Sequence, residues 1–413
     1  MRKNKSWRYL AVMLLLLALA IWGTREGMAE GLARTAEEAA LSGGLQLKTV
    51  VTFEDASFPD SDGVLKSILK NSKLVFLREH PDDASRLLSA DWQLQDASVL
   101  DWTGMLANGS LLEQSNLFLG STIRTAAPQS NLPAIWSDWK ASALTETREP
   151  LADMTARIIV LTQPETVGLV SALCAELTES DALWQQESLL LASEGGEAAL
   201  ETFSALRAKI AAFPARVDEA LGADDALIWC VDEDAQGNVL LRQMDVSSQV
   251  GSFHAEWTLT EDGRLSFLNG EGVLSGKPLF ITAQIDYNAM NGGTREDIAG
   301  GIDVRYGDDA LSLAWSDSAS GAMKNYTRKT TLTVQVTRGG AEVASVSLQA
   351  KTTAAKESAR IDTAEGIIDW DALDSAGKQA QFERMQQGVV QAVFTILGRM
   401  PKDAAAVLLE KIN

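Results

Sequence analysis

The chain has 413 residues, of which 36 are basic and 56 acidic, and its formal net charge at pH 7 is −20. A surface this negative repels phosphate backbones and anionic headgroups, which argues against nucleic-acid binding and against electrostatic docking to a membrane. The length is sufficient for one large or two medium domains.

The first 29 residues have the pattern of an export signal. A basic stretch from Met1 to Arg8 precedes an apolar stretch from Tyr9 to Trp22, which is shorter than the roughly 20 residues of a spanning helix. Gly27-Met28-Ala29 has the small residues that a signal peptidase reads. Residues 1–29 are therefore predicted to be a cleaved signal peptide or an uncleaved membrane anchor. Both alternatives predict an extracytoplasmic protein, either secreted or anchored to the cell membrane by contact of this segment with the bilayer.

Residues 30–44 are predicted to form a tether, and residues 45–150 an N-terminal unit of strand, helix and meandering strands. Apolar periodicity predicts a short helix at 64–69, capped by residues 60–62. Strands are predicted at 45–53, 73–77, 84–94, 98–106 and 111–125. The segment 127–150 is predicted to hold a connection and a short helix.

Residues 151–360 are predicted to form helices and a large antiparallel meander. A strand at 156–161 leads into a helix that begins near Pro164, and later helical patterns extend to Leu221. Pro214 is expected to kink or divide the last of these helices.

From Ala226 to Lys351 the apolar period becomes two, and closely spaced turns predict about eight consecutive antiparallel strands. Phe253 and Trp257 alternate with His254 and Glu256, so one face is apolar and amphipathic helices are expected to cover it. Aromatic side chains on that face could line an apolar cavity or pack as ordinary core. The residues predicted to line such a cavity are Phe253, Trp257, Phe267, Ile281, Ile285 and Trp315. Residues 361–413 are predicted to be C-terminal amphipathic helices.

Motifs for catalysis or metal binding are absent from the sequence. The two histidines, His80 and His254, are expected at the surface, and neither a G-x-S-x-G elbow nor a zinc-ligand spacing occurs. Asp232 begins a calcium-like loop, but its twelfth position is Gln243, where a bidentate Glu is required. The chain is therefore predicted to be a non-enzyme with no catalytic residue, no metal and no cofactor. A carbohydrate-active enzyme would require two carboxylates facing each other in a cleft.

Two cysteines, Cys174 and Cys230, lie in apolar segments. They could pair in an oxidising compartment, but they are predicted to be separate buried thiols.

Two segments resemble uncharacterised exported proteins of Gram-positive bacteria. The first runs from Ala156 to Leu177 and includes Leu-Thr-Gln-Pro-Glu, where Gln163 shifts the helix cap by one residue relative to those proteins. The second is the strand, acidic turn and strand from Ile228 to Leu240. Those proteins are similar in architecture to the lipoprotein-carrier (LolA) and LppX half-barrels. The resemblance implies an α+β fold in which a curved antiparallel meander sheet is covered by amphipathic helices and can enclose lipid, and it supplies no functional residue.

The sequence thus predicts an extracytoplasmic, non-enzymatic binding protein that holds a lipid or other apolar ligand in a half-barrel cavity, or binds an envelope protein. The alternative is a membrane-tethered interaction or sensor ectodomain with a filled core and no ligand.

Overall fold

The computed structural model describes residues 32–58, 63–82, 84–127, 145–151, 154–179, 196–219, 221, 226–234, 239–248, 251–260, 264–290, 295–355, 361, 366–400, 402 and 405–406. The predicted signal peptide or anchor at 1–29 and the predicted cap at 60–62 lie outside these residues. Within the described part of the chain, no helix is long and apolar enough to cross a membrane.

The α-helices are α1 (Leu32–Ser42), α2 (Val64–Lys70), α3 (Gln163–Glu179), α4 (Gly196–Ala211), α5 (Phe213–Asp218) and α6 (Ser375–Arg399). The strands are β1 (Gln46–Ser57), β2 (Ser72–Glu79), β3 (Arg86–Leu94), β4 (Ala97–Ala107), β5 (Ser110–Ser115), β6 (Thr122–Ala126), β7 (Thr145–Leu151), β8 (Met154–Thr162), β9 (Ala226–Asp234), β10 (Val239–Ser248), β11 (Gly251–Leu259), β12 (Leu265–Leu274), β13 (Lys277–Met290), β14 (Arg295–Tyr306), β15 (Asp309–Ser320), β16 (Thr327–Arg338), β17 (Ala341–Ala355) and β18 (Ile367–Asp369).

The predicted α+β half-barrel is wrong, because the 18 strands of the described residues belong to one mixed sheet. Two pairings depart from a meander of sequence neighbours. Strand β1 pairs with β17, about 300 residues away along the chain, and β18 pairs with β6 in parallel. Turn signals and apolar periodicity identify strands that follow one another, but they carry no information about pairing between distant strands.

The chain forms two compact units, and the first contains residues 129–285 and 301–311. Strands β7 to β13 of this unit pair antiparallel in sequence order, and β9 to β13 follow the meander predicted from Ala226 onward. Strand β7 lies where the sequence predicted a connection and a short helix. Helix α4 ends at Ala211 and α5 begins at Phe213, so the predicted division of this helical stretch at Pro214 is confirmed.

The core of the first unit lies between its sheet and its helices. Trp257 and Phe253 of β11 are 0% and 3% exposed, and they belong to one buried cluster with Val170 of α3 and Val217 of α5. The predicted orientation of this strand face toward the helices is therefore confirmed. Cys174 belongs to the same cluster, and both cysteines are free thiols, as predicted, although Cys230 is only half-buried.

The second unit contains residues 30–128, 286–300 and 312–413. Its antiparallel pairings give the strand order β6-β5-β4-β3-β2-β1-β17-β16. Helix α1 covers Leu47 of β1, and α2 packs with Leu94 and Val99 of β3 and β4. The predicted strand at 111–125 is divided into β5 and β6 by a 3-10 turn, Asn116–Phe118, after which Leu119 and Gly120 have positive φ angles.

Candidate functional site

The helices of the second unit cover one face of its sheet, and the opposite face carries the site. Side chains alternate between the two faces of a strand, so Trp92 and Leu94 of β3 point toward the helices, whereas Ser89, Asp91 and Gln93 point away from them. The same period-two alternation that puts apolar side chains under the helices therefore puts Ser89, Asp91 and Gln93 on the opposite face.

A cavity of about 600 Å³ lies on this face. Most of its lining residues have polar side chains, and Val75 and Leu77 of β2 are apolar. The complete lining consists of Lys48, Val75, Leu77, Ser89, Asp91, Gln93, Ser98, Asp101, Thr103, Gln114, Ser115, Asn116 and Gly120.

Strand register places five of the lining side chains in one row across β1 to β5. The partners in order along this row are Lys48, Leu77, Ser89, Thr103 and Gln114. Residues that are directly opposite on antiparallel strands have Cβ atoms about 4.5 to 5.5 Å apart. The row therefore presents a half-buried ammonium at one end and hydroxyl and amide groups toward the other.

Two carboxylates face each other in the next row, because Asp91 of β3 is directly opposite Asp101 of β4. Ser98 Oγ donates to Asp91 Oδ1 at 2.7 Å, and the Gln93 amide donates to Asp91 Oδ2. Like charges directly opposite on neighbouring strands are destabilising. The pair therefore costs free energy unless a positive charge lies close to it.

The 3-10 turn after β5 holds Asp101 in place. The Asn116 backbone N–H donates to Asp101 Oδ1 at 2.7 Å, and Asn116 Nδ2 donates to the Val99 carbonyl at 3.1 Å. The Ser115 hydroxyl caps the turn by accepting from the Leu117 backbone N–H at 3.1 Å. On the helix-covered side, Gly388 of α6 lies against the Leu117 backbone. These contacts fix one wall of the cavity.

Within the described residues, neither Asp101 Oδ2 nor the Lys48 ammonium has a hydrogen-bond or ion-pair partner. Both groups are thus available to a ligand. No set of three His, Cys, Asp or Glu side chains in this part of the chain could hold a metal ion.

A second polar cluster lies on the helix-covered face and is structural. Glu37 of α1 is buried and accepts hydrogen bonds from Arg78 at 2.5 Å, Tyr326 at 2.8 Å and Arg328 at 3.2 Å. Burial raises the pKa of Glu37, but the bonds and charges of these partners outweigh it, so the pKa lies below its usual range. Burial and the Glu37 charge raise the pKa of Tyr326. The cluster ties α1 to β2 and β16.

The residues predicted to line an apolar cavity are divided between core and surface. Phe253, Trp257 and Ile281 lie together in the core of the first unit. Phe267 is 45% exposed, and Ile285 is half-buried. Trp315 is half-buried and belongs to the second unit.

The polar lining of the second unit was missed, although its signal is present in the sequence. Ser89, Asp91 and Gln93 alternate with Ala90, Trp92 and Leu94. Such a pattern is normally that of a solvated strand face. Only the pairing of five strands shows that these side chains share one cavity.

No protein-family model and no curated protein match this sequence. Similarity to solved structures is weak. OccK3 (OpdO) of Pseudomonas aeruginosa has a TM-score of 0.24 at 10% identity, covering 79% of this chain and 99% of that one. OprB of Pseudomonas putida has a TM-score of 0.22 at 8% identity, with 78% and 95% covered. OccAB3 of Acinetobacter baumannii has a TM-score of 0.21 at 6% identity, with 76% and 99% covered. TM-scores this low do not establish a shared fold.

Proposed function

We propose that the chain is an extracytoplasmic, non-enzymatic binding protein that holds a small polar ligand in the cavity of its second unit. The observation that carries the proposal is the cavity itself. Its volume of about 600 Å³ lies within the range of about 300 to 1,000 Å³ that small-molecule sites occupy. The extracytoplasmic location rests on the export-signal pattern of residues 1–29.

The cavity lining favours a polar ligand over the lipid expected from the sequence. Hydroxyl and amide side chains can both donate and accept hydrogen bonds, and more than half of the lining residues carry one. An acyl chain would offer no partner to Asp101 Oδ2 or to the Lys48 ammonium, and a buried polar group left without a partner costs about 1 to 3 kcal/mol. In the first unit, Phe253, Trp257 and Ile281 contact protein side chains, which supports a filled core there.

Glycoside hydrolysis is a second candidate, since Asp91 and Asp101 face each other in a cavity. Glycosidases use two carboxyl groups on either side of the scissile bond. One of them must stay protonated as the general acid, usually in an apolar setting. Here Asp91 accepts hydrogen bonds from Ser98 and Gln93, and Asp101 accepts one from the Asn116 backbone. This polar setting favours binding over hydrolysis.

The decisive experiment is native mass spectrometry of the full chain purified from an exporting cell, followed by thermal unfolding with the ligand that is found. A ligand that binds the folded state raises the melting temperature in a concentration-dependent manner. We expect a bound polar molecule of less than about 600 Å³, and Thr103→Trp, which places a bulky indole among the lining residues, should abolish the shift.

Thr333→Trp is the matched control, because Thr333 is exposed on β16 and lies outside the cavity lining. This variant should retain the ligand-induced shift. A shift that survives Thr103→Trp would place the ligand elsewhere. If no ligand is found and no polar probe stabilises the protein, the interaction ectodomain without ligand takes the place of this proposal. Release of reducing ends from an oligosaccharide, lost in Asp101→Asn, would establish the hydrolase.

A further inference from the structure

The cavity face carries a charge gradient that runs across the strands. Lys351 of β17 is directly opposite Lys329 of β16, and it shares a row with the paired Asp91 and Asp101. From β16 to β4 this row reads Lys329, Lys351, Val50, Val75, Asp91 and Asp101. Lys48 lies one row away on the same face of β1. The face is thus basic toward β16 and acidic toward β4.

Both ends of the row contain like charges in directly opposed positions, which is an unfavourable arrangement. A positive ligand charge would relieve the Asp91–Asp101 pair, and Lys48 is the lysine of this face that lines the cavity. None of the lysines 48, 329 and 351 has an ion-pair partner within the described ranges. The arrangement therefore suits a ligand that carries one positive and one negative group.

We infer, on the basis of the proposed function, that the cavity binds a zwitterionic ligand of short-peptide length. Its ammonium group lies between Asp91 and Asp101, and its carboxylate lies at Lys48. An ammonium has three donors, and Asp101 Oδ2 and the Asp91 carboxylate provide acceptors for them. Charge-assisted hydrogen bonds of this kind are about twice as strong as neutral ones.

The distance between the charged ends determines the ligand length. Lys48 and Asp91 are two strands apart and offset by one two-residue repeat, so their Cα atoms are about 12 Å apart. A single amino acid carries both charges on one carbon and cannot reach both ends. An extended tripeptide spans about 10 Å. Between the two ends, β2 presents the apolar side chains of Val75 and Leu77, and the Ser89 hydroxyl beside Asp91 is positioned to meet a peptide group of the ligand.

Calorimetric titration of the full chain with trialanine tests the inference, using N-acetyl-trialanine, trialanine amide, alanine and maltose as comparison probes. We expect trialanine to bind, and blocking either terminus to weaken binding by about tenfold or more. Alanine should bind weakly, because it reaches only one end. Raising the salt concentration should weaken trialanine binding, since the cavity charges are partly exposed.

Substitutions at the two ends of the cavity show which end binds which peptide terminus, when each variant is titrated with the free and the blocked peptides. In Lys48→Gln, trialanine and its amide should bind equally. In Asp91→Asn, which retains the shape of the side chain, N-acetylation should weaken binding by a smaller factor than in the unsubstituted chain, because only Asp101 is left to attract the ammonium. Lys70→Gln on α2 and Asp308→Asn in the β14–β15 turn are the controls, since both residues are exposed and outside the cavity, and they should leave all affinities unchanged.

Two results would overturn the inference while leaving the proposed function intact. One is maltose binding that Thr103→Trp abolishes, without trialanine binding. The other is trialanine binding that neither terminal block changes. If none of these probes binds and native mass spectrometry also finds no ligand, both the inference and the proposed function fail.

Discussion

His254 is held between two carboxylates on the solvent-facing side of β11. Its Nδ1 lies 2.8 Å from Asp245 Oδ1 and its Nε2 lies 3.2 Å from Glu256 Oε1, and Glu271 is opposite it on β12. Burial lowers the pKa of His254, but the hydrogen bonds and charges of Asp245 and Glu256 outweigh it, so the pKa is raised.

A raised pKa in the folded state means that protonated His254 stabilises the fold. This stabilisation is fully present below the pKa of the unfolded state and is lost as the pH rises through the pKa of the folded state. We expect His254→Gln to destabilise the protein at about pH 5 by less than about 1 kcal/mol, because the pair of His254 and Asp245 is largely exposed. Near pH 8.5 the substitution should have no effect. Urea unfolding at both pH values measures the difference.

His80→Gln is the control of opposite sign. Burial and the nearby Arg86 charge lower the pKa of His80, so its contribution is present at high pH and lost as the pH falls. Equal effects of the two substitutions at both pH values would contradict the assignment.

Glu37 is the residue on which the buried ionic cluster depends. We expect Glu37→Gln to destabilise the protein by about 2 kcal/mol, since it weakens the bonds to Arg78 and Arg328 in a largely buried setting. Because the pKa of Glu37 is lowered, its contribution is present above the unfolded pKa and lost as the pH falls through the folded pKa.

The difference between wild type and Glu37→Gln should therefore shrink in acid, as chemical denaturation at about pH 7 and about pH 3 would measure. Glu38→Gln, one residue along α1 and exposed, should change stability little at either pH. A larger loss in Glu38→Gln than in Glu37→Gln would show that α1 is placed wrongly.

At the scale of elements, the contact between α6 and the 3-10 turn after β5 requires a residue without a side chain. A Cβ atom at Gly388 would lie 2.5 Å from the Leu117 carbonyl oxygen and 2.6 Å from its Cα atom, and both are backbone atoms that cannot rotate away. We expect Gly388→Ala to destabilise the protein by about 1 to 3 kcal/mol through overpacking, despite the higher helix propensity of Ala.

Gly398 is the matched control in the same helix, since a Cβ atom there would meet no atom within 4 Å. Gly398→Ala should be neutral or stabilising by up to about 1 kcal/mol. Thermal unfolding compares the two variants. Equal melting temperatures would show that α6 does not pack closely on the turn.

Most elements could be predicted from the sequence because their signals are local. The helix at α3 begins where Thr162 and Glu165 form a capping pair, with the Thr162 backbone N–H donating to Glu165 Oε2 at 2.6 Å. The break at Pro214 follows from the missing backbone donor of proline. Strand β7 escaped prediction, because the sequence Thr-Glu-Thr-Arg-Glu-Pro-Leu lacks an apolar alternation.

At the scale of the whole molecule, the pairing of distant strands could not be predicted. Strand β1 lies between β2 and β17, and only this pairing brings Lys351 into the row of Asp91. The candidate site depends on such pairings, since its side chains come from five strands. Each strand taken alone shows an ordinary polar face, which is why the site was missed while the core of β11 was found.

The alternation along β3 has a consequence for protein engineering. In its second half, Trp92 and Leu94 pack under the helices, whereas Ser89, Asp91 and Gln93 face the cavity. The two sets are interleaved in sequence but separated by the thickness of the sheet. A combinatorial library restricted to residues 89, 91 and 93 would diversify the cavity lining while Trp92 and Leu94 stayed constant. Because the two sets occupy alternate codons, the cavity lining and the core of this part of β3 can be mutated independently.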